Sequence, residues 1–209
     1  MTAGRSERIA VALRHIDGLL TRGHLRDAET QARKLVAENP LSAPAQFMLG
    51  ITVQSQGRFE QAEPHFARAV TLDGKNVSYL LNLGLCLLSM GRVPEAAAFY
   101  AKARSVAPSN VEAIWRNGSF HARIGHMEQA LALYQKPLER APDSTRHAIR
   151  LEVLDCLLSL GRIDEAEQHI ARFITTTPHH ARYLCLLSSL GKHDASSDIF
   201  ARVERDLGR

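Results

Sequence analysis

The sequence predicts an all-α fold, a solenoid of helical hairpins, and three observations lead there. A six-residue phrase, Gly-x-apolar-x-x-Ala, recurs at Gly23–Ala28, Gly57–Ala62, Gly91–Ala96, Gly125–Ala130 and Gly161–Ala166, its glycines 34, 34, 34 and 36 residues apart. Apolar residues precede the phrase at helical spacing, as at Leu80, Leu83 and Leu87. A helix-breaking residue closes each copy: Pro40, Gly74, Pro108, Pro142 and Pro178. A period of this length marks stacked helix pairs, each unable to bury its apolar face alone.

Placing each phrase glycine at position 15 gives repeats 9–42, 43–76, 77–110 and 111–144, then a two-residue insertion, Thr145-Arg146, then 147–180 and a shortened remnant over 181–209. Position 8 is Gly50, Gly84 and Gly118, and position 20 is Ala28, Ala62, Ala96, Ala130 and Ala166. Small residues there let the two helices of a hairpin approach where a larger side chain would clash. The glycine at 15 ends the first helix, because it takes the left-handed backbone conformation without penalty. Position 24, occupied by Phe66, Tyr100, Tyr134 and Ile170, closes the hairpin.

Several positions agree in register across five copies, and over nearly its whole length the chain resembles the tetratricopeptide repeat family. The resemblance implies a right-handed superhelix, one elongated domain over 1–209, whose first helices line a concave groove. It also implies a protein-interaction scaffold that binds a peptide, a helix or a partner domain in that groove. The family's groove positions fall on Phe47, Ile51, Leu81, Asn82, Leu85 and Leu88 in the second and third repeats. In the fourth they fall on Trp115, Arg116, Ser119 and Arg123, and in the fifth they include Glu152 and Asp155. The middle of such a groove is apolar and holds the only tryptophan, as a peptide site requires. The competing expectations are that these side chains pack against neighbouring first helices or that the chain's own end folds over them.

Two known family chemistries are matched only in part, the first at Asn82 and Arg116 and the second at Asn82 alone. The clamp that grips a C-terminal carboxylate on chaperone tails needs Lys, Asn, Asn, Lys and Arg where this chain has Phe47, Ile51, Asn82, Glu112 and Arg116. The asparagine ladder of the N-acetylglucosamine transferases becomes Met48, Asn82, Arg116 and Glu152.

Three departures stand out. Pro137 falls inside the second helix of the fourth repeat, the insertion follows it, and Leu154 replaces glycine at position 8 of the fifth repeat. Together they predict either a change of direction between those repeats or a locally absorbed kink. In the remnant, Asp194–Val203 has the pattern of a capped amphipathic helix that could close the array. Its end, Ile199–Leu207, faintly resembles the junction in bacterial proteins that join these repeats to a sulfotransferase domain. That resemblance implies a substrate-presenting arm of a larger enzyme.

Composition narrows the function classes. The formal net charge is +4 with a pI near 9.2. Taken with flanking residues, the repeats carry about +2, 0, +2, +1, −2 and +1, so no block concentrates charge for phosphate tracking. No nucleic-acid or membrane partner is expected. Self-association through the concave or terminal surfaces is a third expectation beside the two scaffold readings. Cys86, Cys156 and Cys185 fit no zinc spacing and read as buried thiols in a reducing, cytoplasmic setting. His179, His180, His193 and Cys185 match no standard metal site, and His65 and His169, both at position 23, read as tolerated half-exposed positions. With no phosphate loop, nucleophile elbow or zinc motif, the reading includes no catalytic residue, no metal and no cofactor.

Overall fold

Residues 2–172 are described by the computed structural model, and among them every regular element is an α-helix. The helices are α1 (Thr2–Thr21), α2 (Leu25–Glu38), α3 (Ala43–Gln54), α4 (Phe59–Leu72), α5 (Val77–Ser89), α6 (Val93–Val106), α7 (Val111–Arg123), α8 (Met127–Arg140), α9 (Asp143–Ser159) and α10 (Ile163–Ala171). The fold is the expected all-α hairpin array, and α3, α5 and α7 begin on the first residues of the second, third and fourth repeats.

The starts of these helices have a local cause. Ser42, Asn76 and Asn110, each just before a first helix, accept a hydrogen bond from the backbone N–H three residues on, at 3.4, 3.3 and 2.9 Å. Each bond satisfies one of the donors that a helix start leaves unpaired. The hairpin turns share one geometry. The five phrase glycines have φ between +69° and +84°. At each, the glycine N–H reaches back three residues and the next N–H reaches back five, as in Gly91 to Leu88 (3.0 Å) and Arg92 to Leu87 (2.9 Å). This paired closure satisfies the last carbonyls of the first helix and requires the left-handed residue between them. The second helices then open with acidic residues such as Asp27, Glu60, Glu95, Glu128 and Asp164, suited to the positive helix end.

The chain divides into two compact units, the boundary falling inside α7 between Arg116 and Asn117. In the first unit, α1–α2, α3–α4 and α5–α6 form hairpins, with α2 against α3 and α4 against α5. In the second, α9 packs against both α8 and α10. The alanines at position 20 are without solvent exposure in all five copies, as are Phe66 and Tyr134 at position 24.

The small residue at position 8 is dictated by that ring. A methyl group placed on Gly50 would stand 2.6 Å from a Phe66 ring carbon, and one on Gly118 2.5 Å from Tyr134. On Gly84 it would stand 3.1 Å from Tyr100. The first and fifth repeats divide the volume differently, with Ile16 and Ala32 in one and Leu154 and Ile170 in the other, all buried.

The irregular region is absorbed within helices. Helix α8 runs through Pro137 to Arg140, and the Pro137 carbonyl accepts from Ala141 N–H at 2.8 Å. The insertion lies in the first turn of α9, which is lengthened to 17 residues. There Arg146 donates to the carbonyls of Leu138 (3.1 Å) and Ala141 (2.7 Å), tying the end of α8 to the start of α9. The expected cap over Asp194–Val203 and the junction-like Ile199–Leu207 lie outside the described residues.

Replacing Gly50 with alanine should destabilise the chain by about 1–3 kcal/mol through overpacking against Phe66. Pairing Gly50→Leu with Phe66→Ile, the combination of the fifth repeat, should recover much of the loss caused by Gly50→Leu alone. Urea denaturation of the two singles and the double reads the coupling. Simple additivity would mean that ring and glycine do not share one space.

Candidate functional site

On the first unit, the expected groove residues sit on three first helices. Phe47 and Ile51 of α3, Asn82, Leu85 and Leu88 of α5, and Trp115 and Arg116 of α7 are all half-buried. Side chains on the opposite faces of α3 and α5, such as Leu49, Val53, Leu83 and Leu87, are buried. Leu81 departs from the expectation: its exposure is 0%, so it belongs to the core and offers no surface to a partner.

The Phe47 ring packs at a tilt against Phe66 (5.8 Å between centroids) and against Tyr79 of the next repeat (4.7 Å). It therefore joins two repeats while keeping part of its surface exposed. The Asn82 amide donates to the Ser78 carbonyl at 2.8 Å, one turn back on its own helix.

On the second unit, Ser119, Arg123 and Asp155 meet in one cleft of about 300 Å³. Helix α7 supplies Ser119, Ala122 and Arg123, Met127 begins α8, and α9 supplies Glu152, Asp155, Cys156 and Ser159. The hydroxyls of Ser119 and Tyr134, on two different helices, both donate to Oε2 of Glu152 at 2.5 Å. Burial and then the Glu152 carboxylate push the Tyr134 phenol well above the usual tyrosine range. Burial, followed by Glu152 and Asp155, pushes the Cys156 thiol up to about 11. Cys86, in the first unit, is likewise pushed to about 11 by burial and then by Glu63 and Glu60. Both thiols are protonated at neutral pH and lack the thiolate that nucleophilic chemistry needs.

Sequence reasoning overlooked a set of charged contacts between repeats. Arg58, Arg92 and Arg162 each follow a hairpin glycine. Arg58 bonds Glu29 of the preceding repeat; Arg92 bonds Glu63 (2.7 Å) and Glu95 (2.6 Å); Arg162 bonds Glu128 (3.1 Å) and Glu165 (2.6 Å). Burial works against ionisation of Glu29, but hydrogen bonds from Gln56, Arg33 and Arg58 hold it below the usual carboxylate range. The recurrence of arginine after glycine, with Glu29 and Glu63 one repeat apart, was the available signal. The Arg162 pairs lie toward the surface, where salt screens them and each adds little stability, whereas Glu29 is largely buried in its bond with Arg58.

The position-23 histidines are half-buried as expected, and each also bonds position 4 of its own hairpin. The His65 ring lies 3.0 Å from the Gln46 side-chain oxygen, and His169 Nε2 lies 3.2 Å from the Arg150 carbonyl. Because a carbonyl can only accept, His169 carries its proton on Nε2. Burial pushes the His169 pKa down to about 4.

Among the described residues, no three His, Cys, Asp or Glu side chains come together to hold a metal ion. The His179, His180, His193 and Cys185 group lies outside them. No helix among the described residues is long and apolar enough to cross a membrane.

Two family models, both of tetratricopeptide repeats, match residues 47–111 and 87–151. No curated protein sequence matches the chain. Among solved structures, pilF of Pseudomonas aeruginosa superposes with a TM-score of 0.77 at 24% identity, covering 98% of this chain and 92% of its own. TTC0263, a tetratricopeptide protein of Thermus thermophilus, gives 0.72 at 20%, with coverage of 87% and 97%. YrrB, described as a tetratricopeptide protein with an unusual peptide-binding site, gives 0.62 at 17%, with coverage of 85% and 90%. At these identities the likeness is one of fold.

The unfolded chain holds a histidine near the ordinary 6.5, so protons favour unfolding as pH falls below that value, and the full loss is reached near pH 4. Melting temperature should therefore drop between pH 7 and pH 4.5, and less steeply in His169→Gln, whose amide can still donate to the Arg150 carbonyl. Parallel melting curves against pH for the two proteins would contradict this role.

Proposed function

The chain belongs to the tetratricopeptide repeat family, and from that premise we propose that it is an interaction scaffold whose first-helix faces hold an extended or helical segment of a partner protein. Members of this family generally mediate protein–protein interactions. The observation that carries the reading here is the set of half-buried apolar side chains at groove positions of the first unit. Phe47, Ile51, Leu85, Leu88 and Trp115 keep surface exposed on helices whose opposite faces are buried. Apolar side chains of this kind, with an aromatic among them, are what anchor a peptide segment. YrrB, a protein of the same fold, is described as having an unusual peptide-binding site, so the fold can hold a peptide.

The chemistry of the buried groups fits binding better than catalysis. The two described cysteines are held as thiols, and burial, then the Glu152 carboxylate to which it donates, keeps the Tyr134 hydroxyl protonated. No observation in the structure or the comparisons favours the sulfotransferase-arm reading.

Peptides selected from a random phage-displayed library against the full chain supply the test ligand. Trp115→Ala should weaken a selected peptide by about 2 kcal/mol, roughly thirtyfold, as for a central aromatic anchor. Leu85→Lys should weaken it comparably by placing a charge on the apolar face. Fluorescence anisotropy measures both, and far-UV circular dichroism checks that the helices persist. Unchanged affinity in both folded variants would remove this face from partner binding.

A further inference from the structure

We propose that the partner segment held by the first unit is an amphipathic α-helix whose contacting face carries no charge, and that α3 and α5 select it over an extended peptide. This deepens the scaffold reading and rests on it, since it names the conformation and chemistry of what the first-helix faces take up.

The first observation is one of charge. Helices α3 and α5 contain no Asp, Glu, Lys, Arg or His, whereas each of the other described helices carries several. Burial accounts for only part of this, because Phe47, Met48, Ile51, Leu85 and Leu88 are half-buried and still apolar. A charged side chain laid on this face would lose water and meet no opposite charge on either helix. The segment that fits must therefore turn an uncharged apolar face toward it.

The second observation is one of hydrogen bonding. A helix spends its main-chain N–H and C=O groups internally, so only side chains can bond a peptide laid across it. Short of the terminal Gln54, the half-buried positions of α3 and α5 offer one polar side chain, Asn82. Its amide already donates to the Ser78 carbonyl at 2.8 Å. The other polar side chains lie toward the ends: Ser78 and Ser89 on α5, and Ser55 just past α3, whose hydroxyl donates to the Ile51 carbonyl at 2.9 Å. An extended segment has no internal main-chain bonds, and its groups pressed against this floor would lose water and stay unpaired. A helix arrives with its main chain already bonded and brings apolar side chains at i, i+3, i+4 and i+7 on one face. The scarcity of polar groups thus discriminates between two conformations that apolar surface alone does not distinguish.

The floor is also set in place before binding. The Phe47 ring is held against Phe66 and Tyr79, so its exposed part is fixed surface and costs little further ordering.

The test selects two phage-displayed peptide libraries of equal length and composition against the full chain. In one, apolar residues stand at helical spacing; in the other they alternate with polar ones. Binders should come from the helical-spacing library, and their labelled Cα carbons should take helical NMR shifts when bound. A central proline should weaken the best of them about tenfold or more. Raising the salt concentration about tenfold should leave its affinity within about twofold. Ile51→Lys and Leu85→Lys, checked for folding by circular dichroism, should each weaken it about tenfold or more. Sedimentation of the free chain is run alongside. A dimer that Leu85→Lys dissolves would mean that a second copy covers the face, and would overturn the assignment to a partner helix.

Binders of equal or greater affinity from the alternating library, charged residues on the contacting face of the selected helices, indifference to the central proline, or no binder from the helical-spacing library would each overturn the proposal. The groove reading fails separately. Alternating peptides that Leu85→Lys releases would leave the groove in place and remove the helix preference. Helical peptides indifferent to both lysine variants would remove the groove as well.

Discussion

The structure depends on how closely two helices of a hairpin can approach at one point. In three repeats the first helix presents a glycine, and a ring from the second helix lies directly on its backbone: Phe66 on Gly50, Tyr100 on Gly84 and Tyr134 on Gly118. Interiors packed to crystal density leave no slack for a methyl group there. The ring's position, and everything it touches, follows from that contact. In the fourth repeat the consequence reaches the surface, because the ring wedged on Gly118 carries the hydroxyl that orients Glu152 in the cleft.

The constraint is on volume more than on identity. Ile16 with Ala32 and Leu154 with Ile170 occupy the same two positions and are equally buried, so the pair tolerates several divisions of its space. Side chains next to these pairs are less constrained. Arginines after the hairpin glycines reach glutamates of the preceding repeat in contacts that run from the half-buried Arg58–Glu29 pair to the more exposed Arg162–Glu128 pair, and in the fourth repeat His126 occupies that place.

The sequence made legible whatever recurs with the period. The left-handed glycines, the buried alanines and the starts of α3, α5 and α7 all stand where the register puts them. Each answers a backbone requirement that every repeat must meet. The fifth first helix begins earlier than the register implies, at Asp143, because an insertion just before a helix extends it when its residues accept helical geometry and Arg146 finds carbonyls to bind. Helix α8 likewise continues through Pro137. Leu81 was read as groove surface because a period assigns positions, whereas burial depends on how each helix is turned against its neighbours. The bonding of Glu152 to Ser119 and Tyr134 was also beyond the sequence. It joins residues 33 and 18 apart whose meeting depends on the ring being seated on Gly118.

Under the proposed function, partners are held by the first helices of the repeats. Hydrogen exchange of the full chain, followed by mass spectrometry with and without a saturating library-selected peptide, distinguishes this from binding elsewhere. Added protection is expected in α5 and α9, with α4, α6 and α8 unchanged. Protection confined to the second helices, with α5 and α9 exchanging as in the free chain, would contradict it.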